Sequence, residues 1–168
     1  AELILDDLLE DCRKNPTVRL DEGEPVDLAP ACAVFRAWDR RDTLTSRGSA
    51  LFAQFVSGLE VVHTTDLQLA ARFWRVPFAV SDPIGTPRGF VPSDETRRAL
   101  AQAVRTFREA RVPIDAPLGE VQSVTRDGRR LPISGSYFGY HLTRASEFKP
   151  GLGVTELRNG DGYIHVVS

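Results

Sequence analysis

Pro77, Pro83, Pro87 and Pro92 fall within 16 residues of one another, and no helix can cross such a stretch. Each proline removes a backbone donor and its ring crowds the preceding turn, so the segment must run as an extended connection held against something else. Before it the apolar residues recur at helical spacing. Beyond Pro113 and Pro117 the period falls to two.

Leu5, Leu8, Leu9 and Cys12 form one apolar stripe and predict a helix over residues 2–14, stopped at Asn15-Pro16. The charged stretch 17–25, with Gly23 and Pro25, reads as a loop. Asp27 suits the N-cap of a second helix that turns Cys32, Phe35 and Trp38 inward and ends near Asp39. A third buries Leu51, Phe52, Phe55 and Val56 and stops at Gly58, and a weaker fourth covers 66–74. Ser93 caps the longest helix, which places Asp94 and Glu95 in its first turn and buries Leu100, Val104 and Phe107 before ending near Ala110.

Residues 120–125 and 129–133 alternate around Asp127-Gly128, a hairpin signal. Residues 134–153 are rich in glycine, serine and aromatics and read as a long loop. Asn159-Gly160-Asp161-Gly162 then introduces a strand over 163–167. The order is α+β: a helical lobe of about five helices over 1–112, then a β-hairpin, a glycine/aromatic loop and a terminal strand over 113–168, in one structural unit. Two or three strands are not a self-sufficient sheet. The chain lacks methionine, starts on an apolar helix face and ends in mid-strand, so it is expected to be a piece of a longer polypeptide.

With 21 basic and 23 acidic residues the chain has none of the basic excess of a nucleic-acid binder. No apolar run approaches the roughly 18–20 residues that span a bilayer, so no membrane partner is expected. Cys12 and Cys32 lie 20 residues apart with no CxxC and no zinc spacing. They are either two small buried hydrophobes or a disulfide between neighbouring antiparallel helices, which implies an exported protein. No metal or cofactor is expected.

The histidines give no complete site. His63 sits at a loop-to-helix junction, where a plain polar role is the simpler account, and His165 alternates with Ile164 and Val166 on a strand. His141 shares the aromatic loop with Tyr137 and Tyr140, and these three are the pocket candidates. Ser134-Gly135-Ser136 is not a nucleophile elbow, Gly151-x-Gly153 is too short for a dinucleotide fingerprint, and there is no Walker loop. The carboxylates Asp6, Asp7, Glu10 and Asp11 fall on the polar face of the first helix and read as a solvated face.

Some segments nevertheless have a recognisable order. Asp7-Leu8-Leu9-Glu10-Asp11-Cys12, Ala31-Cys32-Ala33-Val34, Trp38-Asp39-Arg40-Arg41-Asp42 and Thr45-Ser46-Arg47-Gly48-Ser49-Ala50-Leu51-Phe52 follow one another. So do Asp82-Pro83-Ile84-Gly85-Thr86-Pro87-Arg88-Gly89, Leu118-Gly119-Glu120-Val121-Gln122 and Arg129-Arg130-Leu131-Pro132-Ile133. Together they resemble the penicillin acylase (penicillin amidase) family, in the branch of aculeacin and acyl-homoserine-lactone acylases. Asp161 and Gly162 depart from it, standing where that family has a serine pair.

The resemblance implies a downstream segment of the large (β) chain of an N-terminal-nucleophile hydrolase with an αββα fold. Such enzymes use an N-terminal serine whose own α-amine is the base, with an asparagine and backbone amides as oxyanion hole. The matching residues lie downstream of these, and Ala1 has no hydroxyl, so no catalytic residue is expected in this segment. The implied partners are the rest of the large chain, a smaller processed chain and an acylated amide substrate such as a homoserine lactone, lipopeptide or β-lactam. Antibiotic metabolism or quorum quenching, in the periplasm or outside the cell, follows from the same resemblance. The rival reading is an independent, mostly helical module that binds a partner or ligand through residues 137–148.

Overall fold

The computed structural model describes residues 2–21, 24–59, 71–135, 143–149 and 154–160, the last two stretches as backbone strands. The protein is α+β and forms two compact units. One comprises residues 1–36 and 54–105, the other 37–53 and 106–168.

The first unit begins with α1 (Leu5–Lys14), whose Leu5, Leu8 and Cys12 are buried. The chain then makes a two-residue ladder, β1 (Thr17–Val18) against β2 (Val26–Asp27), where sequence predicts only a loop. Asp27 closes β2, and its Oδ1 accepts the backbone N–H of Ala29 at 2.9 Å, opening α2 (Ala29–Ala37). Cys12 and Cys32 are joined in a disulfide with Cα atoms 6.5 Å apart, stapling α1 to α2. Closing a loop of this length removes unfolded-state freedom equivalent to about 3 kcal/mol. α3 (Ser49–Ser57), of which residues 49–53 belong to the second unit and 54–57 to the first, buries Leu51 and Phe55, leaves Phe52 and Val56 half-buried, and ends at Gly58.

Most of the fourth helix expected from sequence lies outside the described residues. Its expected last residue, Trp74, instead opens β3 (Trp74–Val76), which pairs antiparallel with β4 (Arg88–Phe90) across the proline segment. The reason is packing across the ladder: Trp74 pairs with Phe90, and the Phe73 ring packs against Phe90 with centroids 4.8 Å apart. α4 (Asp94–Glu109) follows. Ser93 and Thr96 cap it reciprocally, the Ser93 N–H donating to Thr96 Oγ1 at 2.8 Å and the Thr96 N–H to Ser93 Oγ at 3.3 Å.

In the second unit, α5 (Leu118–Val121) leads into β5 (Gln122–Arg126) and β6 (Arg129–Pro132). Asp127 and Gly128 both have positive φ, 49° and 72°, as a two-residue hairpin turn requires. Glu120 and Val121, expected in the strand, are helical. The expected long loop over 134–153 is not a loop throughout. It contains β7 (Thr143–Lys149), and β8 (Val154–Gly160) takes up Asn159 and Gly160 of the expected turn. The sheet order is β6-β5-β8-β7, with β8 parallel to β5 and antiparallel to β7. The expected strand 163–167 lies outside the described residues.

Ser93→Ala removes one half of the α4 cap and is expected to destabilise the protein by about 1 kcal/mol, read as a lower urea midpoint. An unchanged midpoint would show that the cap does not hold the helix start.

Candidate functional site

Two polar clusters dominate the described side chains, one in each unit. In the first unit Asp11 is 9% exposed, although its place on the polar face of α1 predicts a solvated carboxylate. Arg97 of α4 explains the difference. Its Nε donates to Asp11 Oδ2 and its Nη2 to Asp11 Oδ1, both at 2.8 Å, a bidentate fork. Asn15 Nδ2 donates to Asp11 Oδ1 at 3.0 Å, and Arg97 Nη1 reaches Asp94 at 2.6 Å. The hydrogen bond to Asp11 raises the Arg97 pKa still further above its ordinary value. Stabilisation of that sign is complete below the unfolded arginine pKa and is lost only above it, so Arg97 stays charged throughout the working range. Asp7, on the same face, pairs with Arg75.

A cleft of about 230 Å³ opens beside this pair, lined by Asn15, Thr17, Arg19, Asp94, Arg97 and Arg98. Arg97 is committed to Asp11 and Asp94, and Arg98 reaches Asp21 at 3.3 Å. The cleft walls therefore present both signs of charge, and among the described residues no nucleophile stands beside a base there.

In the second unit the turn after α2 is tied down by its own hydroxyls. Ser46 Oγ donates to Asp39 at 3.4 Å and contacts Thr43 Oγ1 at 2.9 Å, and Ser49 Oγ donates to Asp42. Trp38 is buried against Phe52, its Nε1 donating to the Arg41 carbonyl at 2.9 Å. The Gly135 N–H meets the Asp42 carbonyl at 2.7 Å. The buried Gln122 amide donates to the Ile133 and Gly135 carbonyls at 3.0 and 2.8 Å. Ser46 and Ser49 are buried hydroxyls facing carboxylates, and His63, His141 and His165 lie outside the described residues. This cluster fixes backbone.

The pocket candidates Tyr137, Tyr140 and His141 likewise lie outside the described residues. The feature that sequence missed is the Asp11–Arg97 pair. The separation of 86 residues hides it, and the burial of Asp11 appears only in three dimensions.

Comparison with known proteins gives a consistent answer. The penicillin amidase family model matches residues 1–168. Aculeacin-A acylase of Actinoplanes utahensis is 31% identical over 169 residues, covering 99% of this chain and 20% of that protein. Acyl-homoserine lactone acylase PvdQ of Pseudomonas syringae pv. syringae is 31% identical over 174 residues, covering 100% of this chain and 21% of that protein. The PvdQ acylase of Pseudomonas putida is 28% identical over 177 residues, again covering the whole chain. The chain thus spans about a fifth of the length of the curated relatives it matches.

Two measurements check the electrostatic account. Arg97→Leu leaves Asp11 buried without its counter-charge and is expected to cost about 3 kcal/mol in urea unfolding, while adding Asp11→Leu recovers most of that loss. Additive single and double effects would make the pair incidental. Glu10 is the contrast: hydrogen bonds from Arg13 and then Lys14 draw its pKa to about 2, yet it is exposed. A depressed carboxylate pKa stabilises above the ordinary value, and that contribution fades as pH falls from about 4.5 to about 2. Glu10→Gln should flatten this acid limb only slightly, because solvent screens the pair. A large change on Glu10→Gln would contradict this.

Proposed function

This chain belongs to the penicillin amidase family, and we propose that it is a segment of the large chain of an acylase. That enzyme hydrolyses the amide bond between an acyl side chain and an amine, such as a homoserine lactone, a lipopeptide or a β-lactam nucleus. The observation that carries the reading is the match of the whole chain to a fifth of each of two proteins named as acylases. Their names specify an aculeacin and an acyl-homoserine lactone, which puts antibiotic metabolism and quorum quenching within the parent's range.

The segment alone is inactive. The N-terminal serine, its α-amine and the oxyanion donors belong to other parts of the parent. Its own contribution is structural: a helical lobe and strands that complete a larger sheet, with the rest of the large chain and a smaller processed chain as partners. The parent works in the periplasm or outside the cell, where the Cys12–Cys32 bridge is stable to reduction. Among the described residues no helix is long and apolar enough to cross a membrane.

The test is amine release from an N-acyl homoserine lactone, a lipopeptide and an N-acylated β-lactam, by the full-length parent and by the isolated chain. The parent should turn over at least one of the three and the isolated chain none. Turnover by the isolated chain, or a parent inert to all three, would refute the reading.

A further inference from the structure

The β3–β4 connection carries three exposed apolar side chains: Phe78, Val80 and Ile84 are 59%, 85% and 98% exposed. A single exposed apolar residue needs no explanation, but three within seven positions on a fixed loop do. The loop is fixed from inside. Thr86, nearly buried, accepts the Ala79 N–H at 2.9 Å through its Oγ1 and donates to the Asp82 carbonyl at 2.6 Å. The Asp82 N–H in turn meets the Ala79 carbonyl at 3.0 Å. Asp82 turns its carboxylate inward onto the Gly85 N–H at 3.0 Å, and any side chain at Gly85 would collide with that carboxylate. Pro77, Pro83 and Pro87 restrict the remaining backbone, and the β3–β4 ladder anchors the base. The tip is thus apolar and pre-organised, and its one carboxylate is already engaged. A surface in that state loses little freedom on docking.

Resting on the reading of this chain as an acylase segment, we propose that Phe78, Val80 and Ile84 seat in an apolar depression on the same parent polypeptide, outside residues 1–168. The chain spans only about a fifth of its relatives, so the rest of the large chain is present as a covalently tethered partner at high effective concentration. A second copy or a lipid surface has no such advantage.

The test places the photo-crosslinker p-benzoylphenylalanine at Phe78 of the full-length acylase and maps the products by peptide mass spectrometry. The expected product joins position 78 to a peptide of the same polypeptide outside this chain. Crosslinks confined to residues 1–168, to a second copy or to lipid, or no crosslink at all, would overturn the proposal. Independently, Ile84→Cys in the same protein should react with a thiol reagent at least about tenfold more slowly in the native than in the denatured state. Equal rates in an active enzyme overturn the docking and leave the acylase reading intact. Protection in a parent that hydrolyses no acyl amide supports the docking and removes the acylase reading.

Discussion

A buried carboxylate is tolerable only where its charge is answered, and Asp11 makes the last turns of α1 the point on which the first unit depends. Both of its oxygens are occupied by Arg97, so α1 and α4 are held in one relative position. The neighbouring residue, Cys12, points about 100° away around the helix and is bonded to α2. One pair of adjacent residues thus fastens α1 on two sides, covalently and by charge. The apolar residues around them supply most of the driving force but little direction, because hydrophobic burial is not directional. The fork and the bridge supply the direction.

Among the described residues, the second unit solves a related problem without charge burial. Its turn after α2 and the hairpin that follows α5 contain backbone groups that no helix or ladder satisfies. Trp38, Ser46, Ser49 and Gln122 use their side chains to satisfy them or to hold the turn in place. Buried hydroxyls and an amide so fully occupied are poor candidates for chemistry and good ones for rigidity. That fits a segment whose part in an acylase is to support reacting groups located elsewhere.

Local rules explain what was legible in the sequence. Asp127-Gly128 specifies a hairpin because positive φ at two successive positions admits few other residues. Ser93 marks the start of α4 because its hydroxyl answers an otherwise unpaired N–H. Leu5, Leu8 and Cys12 mark a buried face by spacing alone. What stayed hidden depends on distant partners. Trp74 reads as helical until Phe90 is beside Phe73, and β8 is recognisable only by its pairing with β7 and with β5, the latter some thirty residues away. Asp11 reads as solvated until Arg97 arrives. The family motifs were legible because they are ordered runs of adjacent residues. The pocket candidates Tyr137, Tyr140 and His141 lie outside the described residues.

The account rests on these residues working inside a larger acylase. The most direct measurement is the mass of the native species that contains them, isolated from the source cell and resolved under denaturing, reducing conditions. The account predicts that the sequence is recovered within a polypeptide several times longer, accompanied by a smaller processed chain. A single monodisperse species of 18.6 kDa would contradict it.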